Sequence, residues 1–277
     1  MKFANLHLHS TFSDAQFTPE QLLLIGKSLG YGAMALTDHE TDGGVRRLMK
    51  YAREQGGVDV ISGIEFCASY EGTEPHITAL DYDMDNNEFR AFVKERLEQR
   101  EECTRKRFEI GIRDGVIQGI TWNDVLDVAE ENSYICIDTV FNAFRAKRLP
   151  IPSDMRAKCF NSPEAKTYSV PYPSPEVIIK LIRNAGGVAI LAHPEKQLHF
   201  VPQFVRWGLN GIEVCHPDLS EDTEIEARKL AKQYKLYHSG GTDHTGPMSG
   251  CGGGYAIPVF NGIDQDEYTI LKERRLG

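Results

Sequence analysis

Phe3-Ala4-Asn5-Leu6-His7-Leu8-His9 decides how this chain reads. The run is short and apolar, and it ends on two histidines two positions apart. Residues i and i+2 of a strand share a face, so both imidazoles can reach one ion. Four further runs lead in the same way into metal-binding side chains. They are Ala33-Met34-Ala35-Leu36 into Thr37-Asp38-His39, Val58-Asp59-Val60-Ile61 into Glu65, Val188-Ala189-Ile190-Leu191 into His193, and Lys235-Leu236-Tyr237-His238 into Asp243 and His244. Short apolar runs bounded by glycine and polar residues predict buried strands. Parallel strands that carry function at their carboxyl ends describe a barrel-type active site. Imidazole nitrogens with carboxylate oxygens are the donors of hydrolytic zinc, manganese and iron sites, which implies a metal-dependent hydrolase.

Helices alternate with these runs. Thr18-Pro19-Glu20 opens one, with Thr18 as N-cap and Pro19 in the first turn; Leu22, Leu23, Ile25 and Leu29 give it an apolar face and Gly30 ends it. Ser174-Pro175-Glu176 repeats the pattern up to Gly186-Gly187, and residues 43–55 and 221–234 read as two more helices. The alternation predicts a parallel sheet with helices outside.

The middle differs. From about residue 84 no strand is evident. Asn86 to Arg107 is charged, with Phe89, Phe92, Val93 and Leu97 at helical spacing; Thr121-Trp122-Asn123-Asp124 resembles a capping box, Asp138 is expected to cap a third helix, and a proline-punctuated return follows. The expected organisation is a barrel formed by residues 1–83 and 166–277 and a helical insertion over 84–165, mounted as a cap on the ligand-bearing face; the alternative is a structural insertion away from the site.

Composition sets the frame. The chain has 277 residues, 41% hydrophobic and 26% charged, which suits a globular α/β protein with a full core. Its net charge of −9 gives no general attraction to nucleic acid or to an anionic membrane. No stable nucleic-acid complex and no membrane association are expected. The six cysteines show no C-x-x-C spacing, so a zinc finger or disulfide scaffold is not indicated and reduced thiols are expected. With no leader-like start and no long apolar stretch, a cytoplasmic location is expected.

His7-Leu8-His9-Ser10 with Asp14, Thr37-Asp38-His39, Gly63-Ile64-Glu65, Ala192-His193-Pro194 and Gly241-Thr242-Asp243 occur in that order. In this the chain resembles the PHP family, the polymerase and histidinol phosphatase superfamily of metal-dependent phosphoesterases, over both outer thirds. Gly211-Ile212-Glu213-Val214 and the His216-Pro217-Asp218 turn resemble its stand-alone members, which act on nucleotides or small phosphoesters. The resemblance implies a distorted (β/α)7 TIM-like barrel with two or three divalent metal ions. His7, His9, Glu65 and Asp243 would form one metal site, Glu65 would bridge to a second with His76 and His193, and Asp14 and His39 would belong to a third. The family's G-[ST]-D-x-H is altered here: Thr245 holds the histidine's place and His244 adjoins Asp243, so His244 joins only if the chain turns. The family's G-R-P-H is also absent, with Ile135-Cys136-Ile137-Asp138-Thr139 in that region.

The expected chemistry is hydrolysis of a nucleotide or similar small phosphoester by metal-activated hydroxide, with manganese, iron or zinc. The alternatives are a histidinol-phosphate phosphatase, an exonuclease of short oligonucleotides, or a non-catalytic metal-binding regulatory module. Asp38 is expected to orient a histidine. Lys196 is a candidate phosphate contact or a solvated lysine, and His216 a candidate substrate contact or a satisfied loop histidine.

Overall fold

The computed structural model describes residues 2–244, 246 and 261–276. Its elements in chain order are β1 (Lys2–Asn5), α1 (Pro19–Leu29), β2 (Ala33–Ala35), α2 (Gly43–Gln55), β3 (Asp59–Ile61), β4 (Gly63–Cys67), β5 (His76–Leu80), α3 (Asn87–Arg113), α4 (Trp122–Val128), α5 (Ile137–Ala146), α6 (Pro163–Thr167), α7 (Pro175–Asn184), β6 (Val188–Leu191), α8 (Val201–Trp207), β7 (Gly211–Cys215), α9 (Glu221–Tyr234), β8 (Tyr237–Gly240), β9 (Ile263–Asp264) and α10 (Gln265–Lys272). Helix bounds follow local chemistry. Thr18 and Gln21 form a capping box at the start of α1, and Gly30 closes it in the left-handed conformation. The predicted helices at 43–55 and 221–234 appear with those limits. Thr121 and Asp124 cap α4 reciprocally. Asp138 is not a cap: α5 begins at Ile137 with Cys136 at the N-cap, so Asp138 lies in the first turn.

The architecture is mixed α/β, in two sheets ordered β3-β2-β1-β9 and β4-β5-β6-β7-β8. A closed TIM-like barrel does not appear as one sheet among the described residues. Two local causes are visible. Val58 to Glu65 reads as one run, yet β3 and β4 belong to different sheets. Ser62 interrupts it, giving its hydroxyl to the Tyr82 carbonyl and accepting the Tyr82 N–H, both at 2.8 Å. Gly63 then passes so close to Leu36 that a Cβ would lie 2.5 Å from its carbonyl oxygen. Second, β5 runs antiparallel to both β4 and β6, because the turn after β4 contains no crossover helix to return the chain. The strand pairs β1–β2, β2–β3, β6–β7 and β7–β8 are parallel, as expected, while β9 runs antiparallel to β1. Single backbone bonds tie the two sheets together: Leu6 N–H to Gly240 O at 2.9 Å and Glu40 N–H to Glu65 O at 2.8 Å.

The main core gathers strands β1, β2 and β4 to β8 with α7 to α10 and the start of α3, through residues such as Ile64, Phe66, Ile77, Phe89, Ile190 and Phe204. A separate apolar cluster, including Phe108, Val125, Val140, Phe144, Met155 and Phe160, joins the end of α3 to α4 and α5. So α3 is shared between the two. No helix among the described residues is long and apolar enough to cross a membrane. Cys67, Cys103, Cys136, Cys159 and Cys215 are free thiols; Thr245 and Cys251 lie outside the described residues.

Candidate active site

Glu65 is the centre. It lies on β4, almost fully buried, and five histidines surround its carboxylate. His7 Nε2, His76 Nδ1 and His193 Nε2 stand 3.3, 3.0 and 3.2 Å from Oε1, and His9 Nε2 and His39 Nδ1 stand 3.4 and 3.1 Å from Oε2. Each arrives by simple geometry. His7 and His9 point inward from the extended segment after β1 while Leu8, between them, is buried in the apolar cluster under α1 and α2. In the antiparallel β4–β5 register Cys67 faces His76, which sets His76 diagonally across from Glu65 on one face. His193 and Asp243 follow β6 and β8 at positive φ, 27° and 46°. Such backbone is rare for side chains other than glycine and collects at functional sites.

Asp243 completes a second focus, with Oδ1 2.9 Å from His9 Nε2 and 3.6 Å from His7 Nε2. The ligand atoms of His7, His9 and Asp243, of His7, Glu65 and His193, of His9, His39 and Glu65, and of His7, Glu213 and His216 each fall within 4.8 Å of one another. The floor, formed by His7, His9 and Glu65, is buried, while His39, His76, His193 and Asp243 at the rim are partly exposed.

The donors fit divalent cations on tautomer grounds. His7 Nδ1 lies 2.9 Å from Glu213 Oε1. An acceptor-only carboxylate there places the ring proton on Nδ1 and leaves a lone pair on Nε2, facing Glu65 and Asp243. His9 Nδ1 lies 3.5 Å from the Ser13 hydroxyl, which gives its own proton to Asp38 at 2.6 Å, so His9 also turns a lone pair inward. Nε2 of His7, Nε2 of His9 and Nδ1 of His39 are buried without a hydrogen-bond partner. Buried polar atoms that converge without bonding one another are what a cation would satisfy. The surrounding carboxylates favour positive charge in the cluster, whether as ring protons or as a cation. Burial opposes charge on His7, but Glu213, Glu65 and Asp243 outweigh it and hold its pKa well above the usual value. Burial likewise works against ionised Glu65, and His7, His76 and His39 outweigh it and hold its carboxyl well below the usual range.

The remaining predicted residues divide. Asp14 is buried at the edge, 3.8 Å from His9 Nδ1 and 3.8 Å from His39 Nε2. Asp38 does not bond a histidine directly. It accepts the Ser10 N–H and Oγ–H at 2.7 Å and the Ser13 hydroxyl at 2.6 Å, and so reaches His9 through Ser13. His244 is not brought into the cluster. His244 stacks on Phe17 at 5.5 Å and lines a small apolar cavity with Leu8, Leu22 and Met34. The Lys196 side chain is exposed. His216 is buried; its Nδ1 accepts the Asp218 N–H at 3.1 Å, and its Nε2 faces Asp243 Oδ2 at 3.5 Å. The residue not picked out as a site group is Glu213. Fully buried on β7, it holds His7 by Oε1 and accepts the His193 N–H by Oε2 at 2.5 Å. The signal available was a lone glutamate within an apolar strand.

A family model, that of the PHP domain, matches residues 5–109. The match takes in the motifs through His76 and stops before those around His193 and Asp243. The chain is 27% identical over 251 residues to the phosphoribosyl 1,2-cyclic phosphate 1,2-diphosphodiesterase of Eggerthella lenta, covering 87% of this chain and 94% of that one. It is 26% identical over 256 residues to a 5′-3′ exoribonuclease of Haemophilus influenzae, covering 86% and 88%. Among solved structures, a Bifidobacterium adolescentis chain classed with the metal-dependent phosphoesterases superposes with a TM-score of 0.77 at 25% identity, covering 99% of this chain and 96% of that one.

Proposed function

On the match of a PHP-domain family model to residues 5–109, we propose that the chain is a metal-dependent hydrolase of nucleotides or similar small phosphoesters. The observation that carries the reading is the convergence of five histidines on buried Glu65 with Asp243 alongside. His7, His9, Asp243 and Glu65 would hold one cation, Glu65, His76 and His193 a second, and Asp14 and His39 a third; the donor types admit manganese, iron or zinc. Bound divalent cations would neutralise phosphoryl oxygens and acidify a water at neutral pH.

The chain's own residues do the rest. Glu65 sits between the two main ligand groups and sets their spacing. Glu213 and Ser13 receive the His7 and His9 protons on Nδ1, so that a bound cation would displace only the inward Nε2 protons. His216, whose Nδ1 is occupied by a backbone N–H, keeps its proton on Nε2 toward Asp243 and orients that carboxylate. The helical segment 84–165 acts as a cap, a reading supported by Tyr134 N–H to Phe12 O at 2.7 Å and by Tyr134 lying 6.0 Å from the His39 ring. A distorted (β/α)7 barrel goes with this function, supported by the backbone bonds that join the two sheets.

The test strips the protein of metal, resupplies manganese, zinc or iron, and measures phosphate release from nucleoside mono- and bisphosphates, histidinol phosphate and short oligonucleotides. Metal-restored release is expected from the nucleotide class, with His9→Ala and Glu65→Ala folded but inactive. No release with any metal, from protein shown to bind it, would favour a non-catalytic module. The likeness to an exoribonuclease supports a second reading, trimming of short oligonucleotides, which release from that arm alone would establish.

A further inference from the structure

Beyond the proposed metal ligands, an excess of buried positive charge gathers at Glu40, next to His39. Two guanidinium groups from α3 share one carboxylate. Arg96 Nη2 lies 2.7 Å from Glu40 Oε1, and Arg100 reaches Glu40 through Nε to Oε2 at 3.1 Å and Nη2 to Oε1 at 3.4 Å. Glu40 directly follows His39, and its N–H is bonded to the Glu65 carbonyl. Two cations against one anion leave one positive charge uncompensated within this group, in a chain whose net charge is −9.

That charge has a direction. Arg96 is buried and gives Nη1 to the Pro171 carbonyl at 2.8 Å. Arg100 keeps 12% of its side chain exposed, and it also interacts with the Tyr172 side chain. Its guanidinium lies 4.8 Å from the Tyr172 ring centre and 5.7 Å from that of Tyr134. Tyr134 stands 6.0 Å from His39, which in turn stands 3.1 Å from Glu65. A pure staple for Glu40 would need neither the second arginine nor the aromatic walls. A planar, partly exposed cation flanked by aromatic faces suits a phosphate oxygen beside a base or sugar.

Resting on the phosphoesterase reading above, we propose that Arg100, with Tyr134 and Tyr172, forms a subsite for a second phosphate of the substrate, one nucleotide unit from the phosphate being cleaved. The chemistry is shared by a nucleoside bisphosphate and by an oligonucleotide backbone.

The test compares metal-loaded wild type with Arg100→Met, which keeps the aliphatic stem, on phenyl phosphate, adenosine 3′,5′-bisphosphate and a 5′-phosphorylated trinucleotide. The ratio of kcat/KM for a substrate with a second phosphate to that for phenyl phosphate is expected to fall about ten-fold or more, mainly through KM. A fall with the bisphosphate assigns the subsite to a terminal phosphate; a fall with the trinucleotide alone assigns it to a backbone phosphodiester. Unchanged ratios, whether all three rates drop together or none does, overturn the proposal and leave Arg100 as a support for Glu40. Wild type that hydrolyses none of the three would sink the phosphoesterase reading instead. Calorimetric Kd values for adenosine 3′,5′-bisphosphate on the same metal-loaded proteins would then decide the subsite, with equal affinities counting against it. If Arg100→Met does not fold, Tyr172→Leu is put through the same comparisons with the same criteria.

Discussion

Glu213 is where a single side chain sets the state of the candidate metal centre. Its two oxygens hold the His7 ring and the His193 backbone, so one carboxylate fixes the tautomer of one proposed ligand and the position of another. Carboxylates placed behind ligating histidines contribute orientation and basicity. Glu213→Gln keeps the shape but sets an amide where the His7 proton is received. Metal affinity is expected to fall about 10–100-fold, as read by competition against a chelator, with the far-UV spectrum unchanged. Affinity equal to wild type would remove Glu213 from the centre. At the same scale, positive φ at Glu40, His193 and Asp243 stores about 1–3 kcal/mol at each position, held in place by the bonds around them.

Between elements, the decisive joint is the loop after β1 and its fastening to the turn before α2. Asp38 accepts three hydrogen bonds from Ser10 and Ser13. Gly44, in the first turn of α2, must lack a side chain because a Cβ would strike the Asp38 carboxylate. The joint positions Asp14 and supports His9 through Ser13. Burial pushes the Asp38 carboxyl above its usual range, against the pull of His9 and the two serines, so part of the joint's worth is spent on desolvation. Asp38→Ala is expected to cost about 2–3 kcal/mol, the scale of losing hydrogen bonds to a buried charged group, in denaturant unfolding. A cost under about 0.5 kcal/mol would place the variant with ordinary surface changes and show that the loop holds itself.

Over the whole molecule, α10 closes the fold by docking against the last parallel strand. Glu267 meets His238 of β8 and Arg228 of α9, both at 2.7 Å. Burial would raise its carboxyl, but the bonds from His238, Arg228 and the Asp264 backbone outweigh this and bring it down to about 2. A carboxyl lowered on folding stabilises the folded state above its unfolded pKa, about 4.3, and that contribution is lost as pH falls toward 2. Glu267→Gln is therefore expected to cost about 1–2 kcal/mol near pH 7, after allowance for solvent screening. The gap from wild type should close between about pH 4.5 and pH 2. A gap that stayed constant across that window would show that the pair contributes packing rather than charge.

The amino-acid sequence by itself determined what depends on neighbours along the chain. Thr18 and Gly30 bound α1 because capping groups and a left-handed glycine act within one turn. The spacing of His7 and His9 puts both rings on one side because strand side chains alternate. Which of Asp243 and His244 would face inward was not written locally, because the backbone turns at Asp243, at φ 46°. Only the tertiary structure decided that, along with the split of the Val58–Glu65 run into two sheets and the antiparallel course of β5. Glu213 holding His7 from 206 positions away, and Arg96 and Arg100 of α3 meeting at Glu40, were likewise settled by packing. A buried charge chooses its partner by where desolvation leaves it, and that depends on the whole packed core, which no local pattern encodes.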